Sequence, residues 1–252
     1  MTRAAWPPIV ENYTQRRFTY PQDRIPAMAG ISGHFARTMN DDPILGLWAK
    51  SFARDLAWER GDGEPQMQNT SGLPSWTWLS CEGSVDYLRN FSDVQAVENL
   101  ELLDWDVTWQ GRPYASSVNT AQAWVKGALR GIPITPFPEG DTYDPRYLQV
   151  FGEKFDLADT STPSRCSGKF DAMDARREGT HMCLLLFTET YNARAGFVRE
   201  TFLILEPVSL VGGVGYKRVG LGRIKGEPAT FDATKTTSLI LCRFPLIRVR
   251  KR

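Results

Sequence analysis

The sequence predicts an α+β protein: a helical N-terminal segment over residues 1–60, then a mainly antiparallel β-rich domain over 61–252, a barrel or a sandwich, with one single domain over 1–252 as the alternative division. Three observations predict this class. The apolar period is helical in the first sixty residues and shortens to two beyond residue 74. Two nearly continuous apolar runs, Met182 to Phe187 and Phe202 to Leu205, are too short for helices and have the make-up of strands buried on both faces. Strand signals do not alternate with helix signals, as a parallel sheet would require.

Asp23 follows Pro21 and can cap a helix from Arg24, along which Ile25, Met28, Ile31 or Ser32, and Phe35 recur at helical spacing. Asp41-Asp42-Pro43 is a second start signal, with proline in the first turn, where its missing N–H costs nothing. Ile44, Leu47, Trp48, Phe52 and Leu56 then form one apolar stripe, and Gly61-Asp62-Gly63 ends it. Residues 61–74 read as a polar link. Trp76 and Trp78 alternate with Ser75 and Thr77, Glu82-Gly83 is a turn, and Val85 and Tyr87 alternate after it, which predicts a hairpin. Over 103–110, Leu103, Trp105, Val107 and Trp109 fall on one strand face and Asp104, Asp106, Thr108 and Gln110 on the other. Residues 123–130 and 148–157 read as further strands, 160–180 as an exposed polar loop, and Tyr216 to Ile224 and Ser238 to Phe244 as the last strands.

Composition narrows the function classes. A chain of 252 residues buries roughly 70–75% of the surface it exposes when unfolded, so it needs neither disulfide nor metal to fold. Its formal net charge of +1 gives no general field for nucleic acid or an anionic membrane, and neither partner is expected. No segment approaches the ~20 apolar residues that span a bilayer, and no export signal is visible at the N-terminus. The expected location is the cytoplasm. Cys81, Cys166, Cys183 and Cys242 form no CxxC pair, and with only two histidines they read as ordinary thiols rather than a metal site; no cofactor is expected.

The catalytic motifs fail one by one. Gly30-Ile31-Ser32-Gly33-His34 lacks the last glycine of a GxSxG elbow and lies within a predicted helix. Gly212-Gly213-Val214-Gly215-Tyr216-Lys217-Arg218 places arginine at the third glycine of GxGxxG and reads as a turn between strands. Asp104 and Asp106 could hold a cation or share a proton, but such acids opposite an apolar face are more often solvated. His34 and His181 have no local partner. The basic tail Ile247 to Arg252 reads as a last strand with a solvated end. The eight tryptophans would be core if buried and a stacking platform if exposed.

One pattern is more specific. Trp6, Ile9-Val10-Glu11, Tyr13, Arg17-Phe18-Thr19 and Asp23-Arg24-Ile25-Pro26-Ala27 resemble a block in fungal heterokaryon-incompatibility (HET) domain proteins. Leu45-Gly46-Leu47-Trp48, Leu56-Ala57-Trp58 and Pro74-Ser75-Trp76-Thr77-Trp78-Leu79-Ser80 are similar to its later blocks, and Cys183-Leu184-Leu185-Leu186 and Tyr216-Lys217-Arg218-Val219-Gly220 to its late strands. The resemblance is strong over about residues 6 to 88 and diffuse beyond. In that family the HET domain lies upstream of these blocks, so the chain is expected to correspond to the downstream region alone.

The resemblance implies a non-enzymatic, regulatory or scaffolding region that acts by protein–protein contact, with an upstream HET domain or another protein as partner, in non-self recognition and programmed cell death. Trp6, Tyr13, Asp23, Arg24, Trp48, Trp58, Trp76 and Trp78 are the expected structural or interaction motif: Asp23 caps, Arg24 pairs with an acid, and Trp48 and Trp58 supply a stripe that Trp76 and Trp78 receive on the sheet. The alternatives are an enzyme with an unrecognised site at Asp104 and Asp106 or at His181, and a tryptophan-lined ligand-binding module.

Overall fold

The computed structural model describes residues 3–16, 20, 23–61, 72–81, 83–88, 96–136, 147–150, 166–171, 178–192, 197–210, 213–226 and 231–242. The expected turn at Asp62-Gly63, most of the link 61–74, residues 151–157 and the tail at 247–252 lie outside them. In chain order come α1 (Trp6–Thr14), α2 (Arg24–Met39), β1 (Pro43–Ile44), β2 (Leu47–Trp48), α3 (Phe52–Asp55), β3 (Trp58–Arg60), β4 (Val85–Tyr87), β5 (Ala96–Glu98), β6 (Glu101–Trp109), β7 (Val118–Pro136), β8 (Tyr147–Val150), β9 (Cys166–Phe170), β10 (Gly179–Asn192), β11 (Phe197–Leu210), β12 (Gly213–Gly226) and β13 (Thr236–Cys242). Helices followed by a mostly antiparallel sheet is the class the sequence predicts.

The N-terminal helices form as amphipathic stripes. α1, whose apolar period is too short to stand out in the sequence, has proline in its first turn and buries Trp6, Val10 and Tyr13 along one side. α2 buries Met28, Ser32 and Phe35, so Ser32 is a packed helical residue. It ends where Asn40 turns left-handed (φ 48°) and its N–H donates to Ala36 O. Asp23 stands at the expected cap position but its side chain makes no cap bond. Its backbone (φ −77°, ψ −10°) is already helical, and a capping side chain reaches back only from an extended conformation.

Two expected elements are corrected. The apolar residues 44–56 do not form one helix from Pro43. Ile44 pairs with Leu47 and Pro43 with Trp48 in a tight hairpin, turned by Leu45 (φ 49°) and Gly46 (φ 86°). The stripe is nonetheless buried, with Ile44, Leu47, Trp48, Phe52 and Leu56 all at 2% exposure or less. Trp76 and Trp78 do not lie on a strand either. Residues 78–80 form a 3-10 turn in which the Thr77 hydroxyl accepts from Leu79 N–H, and β4 pairs with β3 instead. Both indoles are buried in this irregular segment, so their spacing of two imitates a strand.

The large sheet has nine strands among the described residues. Its pairings run in a ring, β7–β10–β11–β12–β9–β8 and back to β7, all antiparallel. β13 lies against β7 and touches β12 in parallel through Leu241 and Tyr216, while β5 and β6 extend the sheet beside β10 and β7. The sheet therefore curls, with one face turned in on itself and the other under the helical layer, a sandwich-like packing. The inner core holds Ile132, Phe170, Cys183, Leu185, Phe202 and Ile204. The outer core joins Leu184, Leu186, Leu203 and Leu205 to Trp6, Trp48, Trp58, Trp76 and Trp78. Alternate residues of β10 and β11 thus enter different cores, as their continuous apolar runs predict.

β6 matches its expected strand with one correction. The register shifts between Leu102 and Asp104, so Leu103 is bulged out and 46% exposed, while Leu102, Val107 and Trp109 pack on the outer core. The polar stretch 160–180 is not all loop: Cys166–Phe170 is β9, and β10 begins at Gly179. β9 reaches its partner because β12 carries glycine there. A Cβ on Gly220 would stand 2.6 Å from Lys169 O of β9, whereas Gly222 makes room on its other side, where a Cβ would stand 2.4 Å from the Phe202 ring of β11. Among the described residues, no helix is long and apolar enough to cross a membrane.

Candidate functional site

The aromatic residues of the expected motif, Trp6, Tyr13, Trp48, Trp58, Trp76 and Trp78, meet in the outer core. Trp6 lies edge-on to Trp48 (ring centroids 5.0 Å) and to Phe35 (5.3 Å), Tyr13 to Trp78 (6.0 Å), and Phe52 to Trp76 (5.9 Å). Gly46 O is the hub: it accepts from Trp6 Nε1 (3.1 Å) and from Trp78 Nε1 (2.8 Å). Trp58 Nε1 donates to Trp76 O (3.1 Å) and Thr77 Oγ1 to Leu45 O. The Tyr13 hydroxyl donates to Arg24 O, and burial pushes its pKa up to about 12. Arg24 is half-buried and Asp23 exposed. With Trp6, Trp48, Trp58, Trp76 and Trp78 at 1% exposure or less, these five indoles offer no ring to a ligand or a partner.

Arg218 fastens this layer to the sheet. Its guanidinium lies 3.5 Å over the Trp58 ring. Nε donates to Asp171 Oδ2 (2.9 Å), one terminal nitrogen to Leu56 O (2.7 Å), and the other to Trp58 O and to Asp171 Oδ1 (3.0 Å). Arg60 donates to the main-chain oxygen of the same Asp171 (3.1 Å). Four of the five N–H groups of this planar fork are taken within the fold, which makes it a joint between layers. Glu11 adds a second tie, accepting from Tyr87 N–H (3.0 Å) across the layer.

Two further buried clusters carry charge. Asp55 accepts from Trp48 N–H (2.8 Å) and Ser51 Oγ (2.9 Å), yet burial pushes its carboxyl up to about 7. On the outer face of β10 and β11, Glu189 Oε2 accepts from Arg199 Nε at 2.5 Å, both side chains being nearly fully buried. Thr201 stands two residues along from Arg199, opposite Arg223 of β12, which approaches Glu59 of β3 at 3.9 Å. Glu189 Oε1 and Thr201 Oγ1 are buried without a hydrogen-bond partner. Sequence reasoning did not reach this seam. Its signal was the interruption of two apolar strands by Glu189 and Arg199.

The other candidate residues do not converge. Asp104 and Asp106 are exposed on β6, with Asp106 opposite Gln122, and His181 is buried against Phe170 in the inner core, opposite Ile132. Ten residues of β7 separate those two register points, about 33 Å of extended strand. No group of His, Cys, Asp and Glu suited to a metal occurs among the described residues. Cys81, Cys183 and Cys242 are buried thiols outside any disulfide, and burial raises their pKa values. The side chain of Cys166 lies outside the described residues.

Comparison with family models, curated proteins and solved structures finds no match for this chain.

Proposed function

We propose that the chain is the non-enzymatic region downstream of the HET domain in a HET-type fungal protein, and that it works in the cytoplasm as a scaffold or regulator of that effector in non-self recognition and cell death. One observation supports this reading. The separate blocks that resemble the family, around Trp6, Tyr13, Trp48, Trp58, Trp76 and Trp78 and around Arg218, pack against one another in one core. Blocks far apart in sequence that build one joint are what a rigid platform requires, since each preserves the seat of the next.

The contact surface is sought where apolar groups stay exposed. Val97 (55%), Leu103 (46%) and Trp105 (37%) lie on β5 and β6 at the margin of the sheet. The bulge at Leu103 and the charges of Asp104 and Asp106 guard this edge against added strands, so side-chain contact is the expected mode. The test is binding of the purified chain to a HET domain, fused and as separate proteins, by calorimetry and by effector activity. Binding that Leu103→Asp or Trp105→Ala weakens supports the reading; no binding and no change of activity in either arrangement overturns it.

A further inference from the structure

We propose that the β5–β6 margin docks a basic segment of a partner protein, one that sets arginine side chains among apolar ones. The inference rests on the reading of this margin as the contact surface and names the chemistry of what meets it. Tyr20, Val97, Leu103, Trp105 and Val214 are the large hydrophobic residues left exposed among the described ones, and three of them fall within residues 97–105. Apolar groups exposed singly are ordinary, whereas their concentration marks a contact. β6 has β7 along one edge and, among the described residues, no strand along the other, so Leu103 and Trp105 stay open to a partner.

Charge selects the partner. Residues 96–109 hold Glu98, Glu101, Asp104 and Asp106 and no basic residue. Two of these acids have basic neighbours: Glu98 pairs with Arg54 at 2.7 Å, and Glu101 stands opposite Lys126 in the ladder. Asp104 and Asp106 are exposed and form no ion pair among the described residues. Asp104 accepts from the Trp105 N–H (2.8 Å), and Asp106 from the Thr120 hydroxyl at a long 3.5 Å. Asp104 stands opposite Trp124 and Asp106 opposite Gln122, so both carboxylates and the half-buried Trp124 indole share one face, with Trp105 on the other. Side chains directly opposite lie about 5 Å apart at Cβ, and diagonal ones about 7–8 Å. A guanidinium over the Trp124 ring therefore reaches the Asp104 carboxylate, with Asp106 beside it. An arginine answers both groups at once, stacking on the indole and donating to the carboxylate. An acidic segment would be repelled by the same pair. The apolar residues of the segment meet Leu103 and Trp105.

The probe is a short synthetic peptide of arginine and leucine, titrated into the full chain by calorimetry beside the same peptide with glutamate for arginine. Saturable binding of the arginine peptide, weakening as salt is raised, is expected, and none of the glutamate peptide. Asp104→Asn with Asp106→Asn keeps the size of both side chains and removes their charge at exposed positions. It should weaken binding at least tenfold at an unchanged melting temperature, and Trp124→Leu should weaken it too. The proposal is overturned if the arginine peptide does not bind saturably, if the glutamate peptide binds as well, or if the double variant folds normally and binds as the wild type does. A HET domain whose binding is lost in Leu103→Asp, yet is indifferent to salt and to the double variant, overturns the charge preference and leaves the contact surface standing. Binding of the arginine peptide without binding of any HET domain overturns the HET partner and leaves the charge preference standing.

Discussion

Replacing Arg218 by methionine should loosen the helical layer from the sheet. The substitution keeps most of the apolar stem and removes the guanidinium, with its four hydrogen bonds to Asp171, Leu56 O and Trp58 O and its place over the Trp58 ring. Hydrogen bonds to a charged group contribute about 1.5–3 kcal/mol each, but they share partners and do not add. Breaking a buried pair by deleting one partner costs about 3–5 kcal/mol, because the other charge stays behind. Asp171, with a side chain 19% exposed, is that charge, so about 4 kcal/mol is expected. This is a large share of the roughly 5–15 kcal/mol by which a domain is stable. Urea unfolding followed by tryptophan emission and far-ultraviolet dichroism would read it, with the midpoint falling by roughly 2 M for a slope near 2 kcal/mol per molar. The double variant Arg218→Met, Asp171→Asn should recover part of the loss, since it removes the stranded charge. A loss below about 1 kcal/mol in the single variant would refute the joint.

Three further outcomes can be measured on the same protein. Gly46→Ala should destabilise by more than about 1 kcal/mol, because Gly46 sits at φ 86° and the new Cβ would stand 2.8 Å from the Trp78 indole; a melting temperature equal to wild type would contradict this. Asp55 should make stability fall as pH rises: its folded pKa is about 7 against 3.8 ordinarily, so the folded state holds a proton the unfolded chain has lost. That contribution is complete below about pH 4, is lost through pH 7, and at 1.36 kcal/mol per unit is at most about 4 kcal/mol. Asp55→Asn should flatten this slope in denaturation curves taken between pH 4 and 7, and an unchanged slope would count against it. Thiol labelling of the native protein at neutral pH should modify no more than one of the four cysteines quickly, since Cys81, Cys183 and Cys242 are buried; three fast thiols would disprove that packing.

How much of the fold was legible depended on whether burial had a local cause. β10 and β11 were readable because strands covered on both faces are apolar throughout. α2 was readable because a helix against a core has one stripe. Residues 44–56 show the limit: every residue of the stripe is buried, and the element is still misnamed. What breaks the helix is the pair Leu45 and Gly46, both at positive φ. That turn is held by its carbonyl, which receives the indoles of Trp6 and Trp78 from 40 and 32 residues away. β9 was hidden for a similar reason, since this polar segment becomes a strand where Gly220 of β12 admits it.

The same distinction separates the two polar groupings. The tryptophans announced themselves by rarity, and burial then turned the most conspicuous residues into core. Arg218 and Glu189 were inconspicuous, because one charged residue inside a strand looks like any solvated face until its neighbours are known. The physical difference between them lies in satisfaction. Arg218 has partners for four of its five N–H groups and a carboxylate for its charge, so its cost of burial is offset within the fold. Glu189 and Thr201 each keep an unpaired atom at 1% exposure, a cost the fold alone does not offset. Unsatisfied buried atoms are shared between the motif, at Trp48 Nε1 and Trp76 Nε1, and the seam, at Glu189 Oε1 and Thr201 Oγ1, so the cost of burial alone singles out neither.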